Sequence, residues 1–385
     1  MGRLLAVLLL ATLAACATRP ETGALAVIDT PATDATRHDL LVVSTRAKSE
    51  EPDTYFGAER DSEAHYAAIS LSVPKDHTSG RIEWPDSFPG DPETSFTAVK
   101  AGYLDDGAAM TRELNARLTD LPKEDRAVFL FVHGYNTLFA EGVYRFTQVV
   151  HDSGFKGVPV FFSWASRGAL TDYLFDLNSA MIARQALRQT LLDLAKSKTD
   201  HIFILAHSMG NQLLVETLLL MTPAERHLVS KKIEQVVLAA PDIDVDLFKA
   251  QLRQIGDPEK PLVLLVSRDD RALQLSSLLA GGKQRVGAYE DAEELANLGA
   301  IVVDLSEIEG EDGTNHVKFA EIASFGPQLQ AVLGQKDFRV FDPNEPTGLS
   351  RAGRDLTGFV GATSRIAITL PANIIGGGLA TLGRR

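Results

Sequence analysis

"FILAHSMGNQLL", residues 203–214, passes from an apolar run through a short turn of small residues into a second apolar stretch. The run "HIFILA" (201–206) shows no polar alternation and reads as a strand buried on both faces, while "NQLLVETLLL" (211–220) has helical spacing. Ser208 stands at the junction. A serine there sits on a strained turn with its hydroxyl projecting from the end of the sheet. Bulk at Ala206 or Gly210 would collide as strand and helix close on each other. The pentapeptide "AHSMG" recurs by chance and a serine can serve simply as a helix N-cap, so its weight comes from the strand-to-helix setting.

The same pattern recurs outward from this point. Apolar runs of strand length occupy 127–132, 158–164, 233–240, 261–267 and 300–305, and segments with helical spacing, such as 178–196 and 209–220, lie between them. Continuous apolar strands separated by helices predict an α/β fold, with a mostly parallel central sheet covered by helices on both faces and a single core over roughly 39–340. Upstream, "DLLVVSTR" and "AAISLSVP" read as strands, and the turn-rich stretch 75–95 reads as a surface excursion.

A serine hydroxyl needs a base to take its proton and a carboxylate to hold that base. Where the nucleophile sits on such a strand-to-helix turn, the acid and then the histidine follow it in the chain. His38, His65, His77, His133, His151 and His201 precede Ser208, His207 adjoins it, and His227 falls in a charged helical connection. His316, in the polar loop "GEDGTNHVKF", remains as the candidate base. For the acid, Asp270 in "SRDD" fits the usual spacing better than Asp269; Asp242 and Asp244, in "AAPDID" after the preceding strand, are rivals. The strand "VFLFV" ends in His133-Gly134, which suggests an oxyanion hole made by the backbone N–H groups of Tyr135 and Met209. His133 itself reads as a structural hydrogen-bonding residue.

In this order, "VFLFVHGYN", "VFFSWASRG", "YLFDLNSA", "ILAHSMGN", "VVLAAPDID", "LVSRDDRALQLS" and "NHVKF" resemble a bacterial alpha/beta hydrolase family of unassigned function, often labelled esterase/lipase superfamily enzymes. "VSTRAK", "YFGAER" and "SVPKDHTSGRIEWP" are similar to its N-terminal region, so the resemblance spans roughly 39–325. It implies an alpha/beta-hydrolase fold with Ser208, Asp270 and His316 as triad. Gly134, with His133, Trp164, Ser166, Tyr173 and Asp176, then falls at pocket or packing positions. The expected activity is a serine hydrolase of carboxylic esters with acyl or lipid-like substrates. A thioesterase, peptidase or acyltransferase would use the same triad, and a non-catalytic envelope lipoprotein would keep only the fold. No cofactor or metal is expected, since HExxH is absent and no Cys/His cluster has zinc spacing.

The ends of the chain carry a different signal. "MGRLLAVLLLATLAACA" has the charge, apolar run and small residues of a secretory signal, and Cys16, the sole cysteine, stands where it would be cut. "LAAC" resembles a bacterial lipobox. This implies removal of residues 1–15, acylation of Cys16 and anchorage in the cell envelope, with Ala17 pointing to the outer membrane. Residues 16–37 then read as a flexible tether, 38–340 as the hydrolase domain, and 341–385 as a tail. In that tail "IAITLPANIIGGGLATL" (366–382) lacks charge, but Pro371 and three glycines favour a strip docked on the domain over a membrane-touching segment. A net charge of -13 argues against nucleic acid as a partner. The sequence leaves the oligomeric state open.

Overall fold

A computed structural model of the chain describes residues 19–20, 22–30, 32–256, 260–308, 310, 312–323 and 366–370. Its strands are β1 (Thr36–Lys48), β2 (Phe56–Val73), β3 (Thr97–Leu104), β4 (Ala127–Val132), β5 (Val158–Ser163), β6 (His201–His207), β7 (Ile233–Ala239), β8 (Val263–Val266), β9 (Ile301–Asp304) and β10 (Ala367–Thr369). They form one sheet in the order β10-β9-β8-β7-β6-β4-β5-β1-β2-β3. From β9 across to β1 every neighbouring pair is parallel, and β10, β2 and β3 add antiparallel edges.

The parallel strands are apolar throughout because both faces are covered. Val128, Leu130 and Val132 of β4, with Val160 and Phe162 of β5 and Ile202 and Ile204 of β6, belong to one buried cluster; Phe131, Phe161 and Leu205 belong to another. The first face packs on helices α1 (Gly107–Asp120), α3 (Tyr173–Lys196), α4 (Met209–Leu220) and α6 (Val245–Ile255). The second packs on α2 (Phe139–Asp152), where Phe131 stacks on Phe146 and Phe161 with ring centroids 5.2 and 5.8 Å apart. Aromatic pairs in offset geometry add to the area they bury. Between these elements lie α5 (Pro223–Ser230), α7 (Arg271–Leu279), α8 (Ala292–Asn297) and α9 (Lys318–Glu321).

Helix starts follow capping chemistry. Asp244 accepts from the N–H groups of Asp246 and Leu247 at the head of α6, and Thr222 with Glu225 forms a capping box ahead of Pro223 in α5. Asp244 is thereby engaged as a cap.

Two readings of the ends change. The stretch 16–37 does not behave as a tether over its described part: Leu25 is fully buried, its N–H donates to the Asp53 carbonyl, and the Ile28 N–H donates to Ala98. Arg19 forms an ion pair with Glu141 and donates to Asn136 and to the Gly168 carbonyl. A Thr/Ala/Pro-rich segment has no periodicity to betray such docking, which depends on a few anchors meeting a preformed surface. At the other end the domain does not stop at 340, because Ala367–Thr369 pairs with β9. Cys16, the leader, and residues 341–365 and 371–385 lie outside the described residues.

Candidate active site

The turn between β6 and α4 places Ser208 at φ 52° and ψ -123°, a conformation costly for any residue with a side chain. Its surroundings hold it there. The Ser208 N–H donates to the Ala239 carbonyl at 2.9 Å, and its own carbonyl accepts from Asn211 N–H, Asn211 Nδ2 and Asp242 N–H. Asn211 Nδ2 also donates to Ala239, so this fully buried amide ties the elbow to the end of β7. Nothing in the sequence marked Asn211, because its role is set by two backbone carbonyls that only the fold brings together.

Two glycines set the close approaches. A Cβ on Gly210 would lie 2.4 Å from the His133 carbonyl oxygen and 2.7 Å from that of Val132, where α4 crosses β4. Neither backbone can yield easily. Gly210→Ala is expected to destabilise the fold by about 1–3 kcal/mol, read as a lower urea midpoint at unchanged slope; an unaltered midpoint would contradict this packing. A Cβ on Gly134 would lie 2.7 Å from Ser208 Cβ and 2.8 Å from His207 Nδ1, so the loop after β4 lies directly against the serine. That loop carries Tyr135. Among the described residues neither the Tyr135 N–H nor the Met209 N–H finds an acceptor, as an oxyanion hole requires.

The acid and the histidine meet directly. His316 Nδ1 is 2.7 Å from Asp270 Oδ2, while Asp270 Oδ1 accepts from Leu273 N–H at 2.9 Å. One oxygen caps α7 and the other holds the imidazole, which fixes the carboxylate plane. Burial disfavours the charged imidazole, but the charge and hydrogen bond of Asp270, then Asp312 and Asp242, outweigh it and raise the His316 pKa above 6.5. The His316 loop is stitched in place. Its N–H donates to Asp312, Asn315 Nδ2 donates to Asp269, and Lys318 Nζ donates to both Asp269 oxygens at 2.7 and 2.9 Å.

The rival carboxylates are occupied elsewhere. Asp269 belongs to Lys318 and Asn315. Asp242 accepts from Ser276 Oγ and Tyr173 OH and pairs with Arg285 at 3.2 Å. Of the candidates, Asp270 is the one bonded to His316.

The hydroxyl of Ser208 makes no hydrogen bond to a described residue, so the serine-to-histidine link is open here; such links commonly tighten only around substrate. The two are nonetheless neighbours through His207. Its ring lies 4.6 Å from that of His316, and His207 Nε2 donates to the His316 carbonyl at 3.2 Å. Burial, then the charge of His316, holds the His207 pKa well below 6.5, so it stays neutral. His207, which adjoins the serine in sequence, thus supports the backbone of His316.

The remaining predicted positions form the scaffold under the loop that follows β4. His133 is buried and stacked on Trp164, with centroids 4.9 Å apart; it donates from Nδ1 to the Gly134 carbonyl and accepts Trp164 N–H at Nε2. Burial, with Arg46 nearby, pushes its pKa down to about 3, consistent with a structural histidine. Ser166 donates to Asp176, which also accepts from Arg167 N–H and Asn136 N–H. The guanidinium of Arg46, wholly buried, donates to the carbonyls of Ser166, Thr137 and Gly57. The sequence does not single out this arginine in strand β1; its role follows from three carbonyls, of Gly57, Thr137 and Ser166, that the fold brings together around it. Tyr173 alone of the group bridges to the acid side, through Asp242 and Ser276. A cavity of about 430 Å³ lies on the second face of the sheet, among Phe129, Phe203, Val237, Leu265 and Phe319, and touches none of the triad candidates.

Comparison with known sequences agrees with this architecture. No curated protein matches the chain. The pattern described as "Alpha/beta hydrolase of unknown function (DUF900)" matches residues 107–336, more than half of the 385 residues, and covers the elbow, the Asp270 loop and the His316 loop. With its parallel sheet, its strained serine elbow and this match, the chain belongs to the alpha/beta hydrolases of unknown function.

Proposed function

We propose that the protein is a serine hydrolase of carboxylic esters. The observation that carries the reading is the hydrogen bond to the buried Asp270 from His316, which packs on His207 next to a serine held at positive φ. In this mechanism Ser208 Oγ attacks the acyl carbon as His316 Nε2 takes its proton, and Asp270 keeps Nδ1 protonated. The N–H groups of Tyr135 and Met209 hold the oxyanion. Collapse breaks the acyl C–O bond, His316 returns the proton to the departing alcohol, and water repeats the sequence on the acyl-enzyme.

Apolar surface near the site favours acyl substrates. Leu170 (59% exposed) and Leu174 (71%) flank Tyr173, while Leu278 (75%) and Leu279 (57%) end α7. The Tyr173–Ser276 hydrogen bond, 3.1 Å, joins the two segments. Leu170 and Leu174 lie in the same stretch as Ser166, Tyr173 and Asp176, expected at pocket or packing positions. Acylation at Cys16 would keep such an enzyme in the envelope, within reach of lipid-like esters.

A fluorophosphonate that reacts with activated serines tests the reading. Covalent labelling of the wild type and its loss in Ser208→Ala are expected. Labelling that survives the substitution would move the nucleophile elsewhere, and an unlabelled wild type would favour a binding module on a hydrolase scaffold. Hydrolysis rates across acyl chain lengths and leaving groups then separate esterase from thioesterase or peptidase.

A further inference from the structure

Three histidines and two carboxylates, none used by the proposed chemistry, converge at the C-terminal end of α2. His77, from the excursion after β2, places Nε2 2.9 Å from Asp152 Oδ1 and Nδ1 2.7 Å from Glu83 Oε2. His151 packs edge-on against His77 with ring centroids 5.0 Å apart, and His38 Nε2 of β1 lies 3.0 Å from His151 Nδ1. The side chains of His77 and Asp152 are 5% and 2% exposed.

We propose that His77, His151 and Asp152 form a zinc-class divalent metal site. One donor atom from each already lies within 4.8 Å of the others. In a tetrahedral site with bonds of about 2.0–2.1 Å the donors stand about 3.3 Å apart, so small side-chain rotations close the set. The nitrogen and carboxylate donors suit zinc, and three protein ligands leave a fourth position for water.

The surrounding groups match what such a site needs. Glu83 accepts from His77 Nδ1, which fixes the tautomer and turns the Nε2 lone pair toward the metal; His38 orients the ring of His151 in the same way. Asp152 Oδ2 is held by the Gly80 N–H and by Gln148, which leaves Oδ1 facing His77. On binding, the proton that His77 Nε2 shares with Asp152 Oδ1 leaves to solvent, and the dication takes the place of the imidazolium charge that His77 holds between Asp152 and Glu83. The ligands are distant in sequence, at 77 and 151–152, so no spacing motif announces them.

The site lies away from the proposed triad. α2 begins beside the loop that follows β4 and runs 14 residues, about 21 Å, before reaching His151 and Asp152. A metal there would clamp the excursion between β2 and β3 onto α2 and β1, remote from Ser208.

Zinc titration of the chelator-stripped full chain against a chromophoric chelator tests this. One zinc per chain is expected, with affinity at least about 100-fold weaker in His77→Ala and His151→Ala. Glu83→Gln, which removes only an orienting partner, is expected to lose about 10- to 100-fold. His227→Ala, an exposed histidine on α5, is expected to bind as wild type. Failure of the wild type to bind near one equivalent, or wild-type affinity in the His77 and His151 variants, overturns the site. Should circular dichroism show those two variants unfolded, Glu83→Gln decides, and unchanged affinity there overturns it as well.

Discussion

Ser208→Ala is expected to lower kcat on an activated acyl ester by about a million-fold, with the thermal midpoint at or slightly above that of the wild type. The first effect follows because no other hydroxyl in the elbow can replace the lost nucleophile; a residual rate from the oxyanion donors alone would remain. The second follows because alanine keeps the Cβ that packs against Gly134, while the backbone around it is held by Asn211, Ala239 and Asp242 rather than by the hydroxyl. Steady-state kinetics on a nitrophenyl ester check the rate, and a thermal melt checks the fold. A variant retaining a tenth of wild-type turnover would sink the serine mechanism.

Asp270→Asn is expected to cost about 10⁴-fold in kcat and to move the acid limb of the pH profile downward. The asparagine oxygen can still cap α7 at Leu273, so the helix survives. Its amide would face His316 Nδ1 with a donor, forcing the proton onto Nε2, where the base must be free. The sign of the pH effect comes from the same contact. In the wild type Asp270, with smaller contributions from Asp312 and Asp242, outweighs burial and holds the His316 pKa above 6.5, so activity falls as pH drops through that raised value. Without that charge, burial lowers the pKa and the limb shifts to lower pH. The profile of kcat/KM against pH measures both. A wild-type profile flat down to pH 4 would remove His316 as the base.

Much of this arrangement was legible in the chain itself. The strands at 127–132 and 201–206 and the helix at 209–220 match their predicted spans closely, because uninterrupted apolar runs admit few other placements. Chain order and loop position led to His316 and Asp270, whose hydrogen bond now joins them. The supporting residues were not legible. Asn211, Arg46, Lys318 and the propping role of His207 each depend on backbone carbonyls or carboxylates that come from distant segments, and a side chain's type says nothing about which carbonyl it will meet. The strand 97–104 escaped because "TAVKAGYL" sits at a sheet edge and mixes polar with small residues. Its burial is too partial to leave a periodic trace.

The clamp on Arg19 sets a geometric limit on the proposed acyl anchor. Only two residues, Ala17 and Thr18, separate it from Cys16, a contour of about 10 Å at full extension. Arg19 grips Asn136, next to Tyr135, so a lipid at residue 16 would not merely leash the protein but aim it. The mouth of the site would face the bilayer at a near-constant height, and soluble esters would compete at a disadvantage with those presented by the membrane plane.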